Sequence, residues 1–281
     1  MQARRTRRAI KNKLNRMPPR LRDRVSGTVL RGYESYLAAR QSLREGPLVD
    51  NGLPVPPARL RVKVVGHADP DAFLRDGRRE NGIIREALSR TGVGAAGVKR
   101  LLDWGCGCGR IVRWWHDLPG TDVHGCDYNP ELVQWVDRNL PFVAARVNHL
   151  SPPLPYEARS FDCVYAISVL THLTDELGIA WMREIHRVLV PGGRFFFTTH
   201  GRLYRDRLAP AETARFDAGE SVVQFASVEG SNLCAAYHPR EWIESRLLDG
   251  FELVEVREAD TLDEIERSEL AQDRWLVRKL P

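Results

Sequence analysis

The sequence has no long apolar run and few cysteines, and each shortage excludes a class of protein. No stretch of about eighteen apolar residues occurs in the 281-residue chain, so we expect no membrane-spanning helix. Only five cysteines are present, and none of them forms the C-x-x-C pairs that are typical of structural zinc sites. We therefore expect reduced thiols in a cytoplasmic protein, with neither a disulfide framework nor a bound metal.

Charge is distributed unevenly along the chain. Residues 1–24 contain ten basic side chains and one acid, although the whole chain carries a net charge of only +5. An arginine-rich arm of this kind can bind nucleic acid or an anionic surface, and it can also be a solvated tail. No apolar segment follows these charges, as one would in a secretory signal peptide. The sequence leaves the two interpretations of the arm open.

Between the arm and residue 95, the pattern predicts helices and a loop. Helical spacing of apolar residues covers residues 21–43, and the prolines of residues 46–57 favour a loop or linker. Residues 60–65 are predicted to be a short extended segment. Two helices are predicted next, one capped by Asp71 and one over residues 81–89.

From residue 98 onward, strands and helices alternate, which predicts a parallel sheet covered on both faces. The predicted strands cover residues 98–104, 122–126, 142–147, 161–167, 194–199, 251–257 and 275–279. The predicted helices cover residues 110–118, 130–140, 174–190 and 239–248. Residues 222–226 and 233–237 interrupt the alternation and are predicted to form a β-hairpin.

The most informative stretch is VKRLLDWGCGCGR at residues 98–110. An apolar run ends at Asp103, and Gly105, Gly107 and Gly109 then alternate with cysteines. A strand that breaks into alternating glycines makes a tight turn, in which the backbone can touch a ligand without interference from a Cβ. We expect Asp103 to present a carboxylate to the same crevice.

Spacing separates two kinds of nucleotide-binding turn. The dinucleotide fingerprint G-x-G-x-x-G needs a third glycine at the position of Arg110, whereas D-x-G-x-G-x-G is met at every position. At these residues the chain resembles the class I S-adenosylmethionine-dependent methyltransferases. The resemblance implies that Asp103 meets the cationic amino-acid end of S-adenosylmethionine. It also implies that the turn contacts this cofactor through Gly105, Cys106, Gly107 and Gly109.

The ends of the next two strands continue the resemblance. Asp127 follows the second strand, where an acid can accept hydrogen bonds from both ribose hydroxyls or cap the next helix. Tyr128 could lie against the adenine or pack half-buried beside it. Asn148 and His149 follow the third strand, where many relatives carry an acid that binds the adenine amino group. The side-chain oxygen of Asn148 can accept the same bond, and the backbone of His149 could serve equally.

Residues 161–173 and 187–193, FDCVYAISVLTHL and RVLVPGG, resemble the later motifs of this family. The resemblance places Ile167 and Ser168 beside the sulfonium of the cofactor. His172 is a candidate general base or orienting group because an imidazole titrates near neutral pH, and a packing role is equally open. No N-P-P-[YF] motif follows the fourth strand, which makes exocyclic base amines and glutamine amides less expected as acceptors.

The resemblance implies an α/β fold with a doubly wound, seven-stranded, mostly parallel sheet and helices on both faces. We expect a basic arm and helical N-terminal extension in residues 1–45, and a linker with cover helices in residues 46–95. The S-adenosylmethionine-binding domain would then occupy residues 96–281. The β-hairpin would belong to a substrate-side insertion at residues 200–239, near the polar residues His200, Tyr204, Tyr237 and His238.

The implied activity is in-line methyl transfer from S-adenosylmethionine to an oxygen or nitrogen of a small molecule, sugar or natural-product-like acceptor. The segment QDRWL at residues 272–276 is similar to bacterial methyltransferases near glycan and natural-product pathways. Three alternatives stay open: a nicotinamide-dependent oxidoreductase, a nucleic-acid or peptide methyltransferase that uses residues 1–24, and a non-catalytic scaffold that binds the cofactor. The sequence does not predict the oligomeric state.

Overall fold

The computed structural model describes residues 19–43, 45–92, 94–262 and 271–281, together with residues 6, 9, 10, 13 and 17. Most of the predicted basic arm, residues 1–24, therefore lies outside the described residues. None of the helices in the described part of the chain is long and apolar enough to cross a membrane.

From residue 19 onward, three α-helices and a small hairpin precede the central sheet in the described part of the chain. They are α1 (Pro19–Ser42), the antiparallel strands β1 (Val49–Asp50) and β2 (Leu53–Pro54), and helices α2 (Ala58–Val65) and α3 (Pro70–Arg90).

Two predictions for this region are wrong. Residues 60–65, predicted to be extended, lie in α2, because packing of Ala58 and Val62 against α1 overrides the low helix propensity of the valines. The two predicted helices near Asp71 and at residues 81–89 are a single helix, α3. Its N-cap is Asp69, whose side chain accepts a hydrogen bond from the N–H of Ala72 (3.2 Å).

The central sheet has seven strands, and a separate hairpin has two. In chain order the strands are β3 (Arg100–Trp104), β4 (Asp122–Asp127), β5 (Val143–Val147), β6 (Phe161–Ala166), β7 (Leu189–Thr199), the hairpin strands β8 (Val222–Gln224) and β9 (Ala235–Tyr237), β10 (Phe251–Arg257) and β11 (Asp273–Lys279). The order across the sheet is β10-β11-β7-β6-β3-β4-β5. Strand β11 is antiparallel to both of its neighbours, and the other pairs are parallel. The predicted fold class is confirmed.

The direction of winding changes at β3. This strand pairs with β4 on one side and with β6 on the other. The carboxyl ends of the three strands therefore open into one crevice, the place where doubly wound sheets bind ligands. The glycine turn follows β3, Asp127 ends β4, and Ile167 follows β6, so the topology brings these three segments together.

The α-helices that follow β3 among the described residues are α4 (Pro130–Asn139), α5 (Asp175–Val188), α6 (Pro210–Asp217) and α7 (Arg240–Arg246). The predicted helix at residues 110–118 is wrong, because this segment contains only a 3₁₀ turn at Val112–Trp115. Its aromatic and β-branched residues have low helix propensity. The buried Arg113 side chain also donates hydrogen bonds to the carbonyl oxygens of Leu53 and Pro54, which fixes the turn against β2.

The sheet is covered on both faces, and alternate residues of β7 face opposite cores. Phe195 and Phe197 pack with Trp104 on one face, whereas Phe196 packs with Trp115 on the other. The predicted hairpin of the insertion is confirmed, with strands shorter than residues 222–226 and 233–237. A bridge between His200 and Tyr237 joins this hairpin to the end of β7.

Candidate functional site

A cavity of about 980 Å³ opens at the carboxyl ends of the parallel strands. Helices α2 and α3 contribute to one wall, and the insertion at residues 200–239 contributes to another. The predicted cofactor-binding residues other than Gly109, together with His172, line this cavity: Asp103, Gly105, Cys106, Gly107, Asp127, Tyr128, Asn148, His149, Ile167, Ser168 and His172.

The glycine turn is fixed to β4 and closely covered. The N–H groups of Gly105 and Cys106 both donate to the carbonyl oxygen of Cys126 (2.8 and 2.9 Å). Gly105 has a φ of 81°, and a Cβ on this residue would lie 2.4 Å from the side chain of Val169. The turn therefore needs glycine here both for its backbone conformation and for its close contacts.

Gly109 differs from the other two glycines of the turn. A Cβ on Gly109 would lie 2.6 Å from the side chain of Leu140 and 3.5 Å from that of Val136, which belong to the core. The structure therefore does not bring Gly109 into the cavity with Gly105 and Gly107. Because Gly109 has no side chain, Leu140 can pack closely beneath the turn.

Asp127 is hydrogen-bonded directly to the glycine turn. Its Oδ2 accepts from the N–H of Gly107 (3.0 Å), and its Oδ1 accepts from the N–H of Asn129 (2.8 Å). Burial raises the pKa of Asp127 to about 6, and these two hydrogen bonds oppose that rise. The carboxylate therefore stabilises the turn and also faces the cavity.

Asp103 belongs to a buried chain of hydrogen bonds that the motif did not predict. The Tyr165 hydroxyl donates to Oδ2 of Asp103 (2.8 Å) and accepts from Nε1 of Trp115 (3.1 Å). Burial raises the pKa of Asp103 to about 7, whereas the Tyr165 hydrogen bond and the charge of Arg110 lower it. The register pairs Asp103 with Tyr165 across β3 and β6, so a strand alignment could have identified this partner.

Asn148 places an unpaired acceptor at the β4–β5 end of the cavity. Its backbone N–H donates to the carbonyl oxygen of Asp127 (3.1 Å), and its Nδ2 donates to the carbonyl oxygen of His149 (2.6 Å). The side-chain oxygen of Asn148 is buried and has no hydrogen-bond partner among the described residues. Tyr128 lies at the rim, with 42% of its surface exposed.

His172 connects the end of β6 to the insertion. Its Nδ1 lies 2.7 Å from the carbonyl oxygen of Cys234, and because a carbonyl only accepts, Nδ1 carries the proton. The carbonyl oxygen of His172 in turn accepts from the N–H of Gly230 (2.8 Å). The imidazole therefore anchors the insertion over the cavity as well as lining it.

The β7–β11 side of the cavity contains polar groups to which the sequence analysis assigned no contact with one another. Thr198 at the end of β7 and Gln272 before β11 line the cavity beside Ser168 and form hydrogen bonds with it. His200 and Tyr204 stack nearby, with ring centroids 4.1 Å apart. His238, which the sequence also suggested, does not line the cavity.

Comparisons with known proteins agree with this architecture. Residues 102–197 match the family model described as a methyltransferase domain. Methyltransferase GfsG of Streptomyces halstedii is 32% identical over 104 residues, which cover 34% of this chain and 35% of that protein. Across eight curated relatives, the aligned segments span between 22% and 44% of the relative's length.

Two solved structures share the fold. An S-adenosylmethionine-dependent methyltransferase from Mesorhizobium loti has a TM-score of 0.54 at 20% identity and covers 69% of this chain and 96% of its own. The CcbJ methyltransferase from Streptomyces caelestis has a TM-score of 0.51 at 20% identity, with 73% and 95% covered. The chain therefore has the class I methyltransferase fold that its sequence resembles, and its residues 102–197 match the model of a methyltransferase domain.

Proposed function

We propose that the chain transfers a methyl group from S-adenosylmethionine to an oxygen or nitrogen of a small molecule, sugar or natural-product-like acceptor. One observation carries this proposal: the glycine turn, Asp127 and Asn148 face a single cavity that continues past Ser168 toward β11. The cavity is large enough for a nucleoside ligand and a small acceptor together, since ligand pockets are commonly about 300–1,000 Å³.

The residues at the β4–β5 end fit this cofactor. The buried side-chain oxygen of Asn148 has no donor among the residues that the structure describes, and an unsatisfied buried acceptor costs about 1–3 kcal/mol. An adenine amino group would supply that donor. Asp127 would accept from the ribose hydroxyls and Asp103 would meet the ammonium group, while the backbone at Gly105 and Gly107 leaves room for close approach.

The mechanism needs positioning more than acid–base chemistry. When bound, S-adenosylmethionine supplies a methyl group on a sulfonium, which already contains a good leaving group. The protein holds the acceptor in line and excludes water, and α2 and the insertion close the cavity on two sides. His172 would orient the acceptor or remove a proton from it, with its ring held by the carbonyl of Cys234.

Binding measurements test the first half of the proposal. We expect calorimetry to show saturable one-to-one binding of S-adenosylhomocysteine and no binding of a nicotinamide dinucleotide. The opposite preference would establish an oxidoreductase site and contradict the proposal. Binding of neither ligand would also contradict it.

Turnover tests the second half. Incubation with methyl-labelled S-adenosylmethionine and extracts of small molecules should yield a labelled product. A protein that binds S-adenosylhomocysteine but labels no small molecule, nucleic acid or peptide would be a cofactor-binding scaffold. If nucleic acid or peptide is labelled instead, and removal of residues 1–24 abolishes that labelling, the basic arm binds the acceptor.

A further inference from the structure

A hydrogen-bonded cluster of Ser168, Thr198 and Gln272 lies on the opposite side of β3 from Asp127 and Asn148. Ser168 follows β6, Thr198 is near the end of β7, and Gln272 immediately precedes β11. All three residues line the cavity. The cluster therefore faces the part of the cavity that the proposed cofactor contacts leave for the acceptor.

The hydroxyls of Ser168 and Thr198 both act as donors toward Gln272 in this structure. The backbone N–H of Ser168 donates to Oγ1 of Thr198 (2.9 Å), so the Thr198 hydroxyl proton is available for another acceptor. That hydroxyl lies 2.6 Å from Oε1 of Gln272, and the Ser168 hydroxyl lies 3.0 Å from the same atom. In this structure both hydroxyls meet the amide oxygen of Gln272, and each has a proton to donate to it.

This arrangement leaves the amide nitrogen outside the Ser168–Thr198 contacts, on a residue that lines the cavity. The residue is only 9% exposed, and Nε2 forms no hydrogen bond with the described residues. A primary amide nitrogen has two protons to donate and accepts none. A buried, preoriented donor of this kind recognises an oxygen that accepts hydrogen bonds.

The surrounding charge favours an anionic oxygen. Arg274 lies two residues along from Gln272, a spacing at which side chains share one face of a strand, and it lines the same cavity. The guanidinium of Arg207, which also lines the cavity, lies 4.0 Å from the ring centroid of Tyr204. Acidic side chains, Glu229 among them, line the cavity as well, so the positive charge of these arginines favours an acid close to them and not throughout the cavity.

We propose that Gln272 recognises the acceptor by donating a hydrogen bond from Nε2 to a carboxylate oxygen of a small acidic molecule. The proposal rests on the proposed function, because it takes the β4–β5 side of the cavity as the cofactor side. Ser168 and Thr198 act as positioning residues, since they hold the amide oxygen and thereby direct the nitrogen toward the acceptor.

Glutamine side-chain resonances test the proposal in the intact protein. The chain has only five glutamines, and Gln224 lines the same cavity with its Nε2 already donating to Glu212 (2.7 Å). In protein saturated with S-adenosylhomocysteine, we expect benzoate to shift the side-chain NH₂ signals of Gln272 and to leave those of Gln224 in place. Spectra of Gln272→Glu and Gln224→Met assign the two pairs of signals by their disappearance.

A matched substitution tests the direction of the hydrogen bond. Gln272→Glu keeps an oxygen for both hydroxyls and replaces only the donor, so the Ser168 and Thr198 contacts are retained. We expect benzoate affinity to fall by about tenfold or more and benzylamine affinity to rise, with S-adenosylhomocysteine affinity changed less than about twofold.

The outcomes separate the two proposals. Failure to bind S-adenosylhomocysteine at all would overturn the proposed function. Normal binding of S-adenosylhomocysteine with no benzoate-dependent shift of Gln272, or with benzylamine preferred by the unmodified protein, would overturn the role of Gln272 alone. If Gln272→Glu does not fold, Gln272→Met supplies the assignment, and the shifts in the unmodified protein still decide the question.

Discussion

The two sides of the cavity are built in different ways. On the β4 side, the ligand-facing groups are a glycine turn and the side chains that end consecutive strands, Asp127 and Asn148. On the β11 side, Ser168, Thr198 and Gln272 come from three segments that are far apart in the chain. The residues of the β4 side can be recognised from their spacing in the sequence. The residues of the β11 side come together only when the sheet forms.

Backbone conformation differs in the same way. Gly105 and Gly107 have φ values of 81° and 54°, and glycine adopts this region without steric cost. Ser168 has a φ of 61°, a conformation that costs a non-glycine residue about 1–2 kcal/mol. Its hydrogen bonds to Thr198 and Gln272 offset this cost. A positive φ is thus indicated by glycine in the sequence on the β4 side, whereas on the β11 side Ser168 adopts it without any such indication in the sequence.

The largest expected effect is on cofactor affinity, from a substitution in the glycine turn on the β4 side. Gly105→Ala should reduce S-adenosylhomocysteine affinity by about a hundredfold or more, because the new Cβ would lie 2.4 Å from Val169 and the turn would have to open. Calorimetry measures the affinity. Wild-type affinity in this variant would mean that the turn does not hold the cofactor and would remove the contrast between the two sides.

Gly120→Ala is the matched control for this substitution. Gly120 has a similar φ of 85°, but an added Cβ there would meet nothing within 4 Å. Both substitutions should lower the free energy of unfolding by about 1–2 kcal/mol through the left-handed conformation. Only Gly105→Ala should also impair binding.

The second-largest expected effect is a pH dependence of S-adenosylhomocysteine affinity that arises from Asp103. Its carboxyl has a pKa of about 7 in the folded protein, so it is largely protonated at pH 6 and ionised at pH 8. S-adenosylhomocysteine affinity should therefore rise by about tenfold as the pH increases through this range, since only the carboxylate attracts the ligand's ammonium group. Asp103→Asn should reduce the rise to the smaller part that Asp127, with a pKa of about 6, contributes. Asp162→Asn, on β6 but outside the cavity, should leave it intact.

The same carboxyl predicts how stability changes with pH. The folded-state pKa of Asp103 is raised above its ordinary value of 3.8, so the folded state holds this proton more tightly than the unfolded state. The protein without ligand should therefore lose stability as the pH rises from about 4 to 7, by up to about 4 kcal/mol from this group. Urea unfolding of Asp103→Asn should show a weaker decline over this range.

These contrasts explain which features the sequence could predict. The strand–glycine–helix spacing and the acid after β4 depend on local order, and they identified both the sheet and one wall of the cavity. The helix predicted at residues 110–118 is wrong because Arg113 forms hydrogen bonds with β2, a contact distant in sequence. Residues 60–65 were misassigned for a similar reason, since packing on α1 decides their conformation.

Gln272 shows most clearly which residues sequence reasoning cannot predict. Nothing in its neighbourhood in the sequence marks it as a cavity residue, because its partners lie on β7 and after β6. Tyr165 is an intermediate case: its alignment with Asp103 follows once β3 and β6 are known to pair in this register. Residues brought together by pairing of distant strands are thus accessible to sequence reasoning only after the topology is assigned.

A smaller effect is expected from Tyr165→Phe. This change removes the hydrogen bond that lowers the pKa of Asp103, so the pH profile of S-adenosylhomocysteine binding should move to higher pH. It also leaves Nε1 of Trp115 without its acceptor, and stability should fall by about 1–3 kcal/mol. Tyr156→Phe is the control, because that hydroxyl has no hydrogen-bond partner among the described residues. A change within about 0.5 kcal/mol is expected there.

The smallest effect on stability and cofactor affinity is expected at His172, which joins the two sides. His172→Asn retains a donor for the Cys234 carbonyl, so the free energy of unfolding should change by less than about 0.5 kcal/mol, whereas His172→Leu should lose about 1 kcal/mol. Equal losses in both variants, measured by urea unfolding, would contradict the anchoring role. Because His172→Asn preserves the anchor and removes the titratable ring, any large loss of methyl transfer in this variant would report the base function separately.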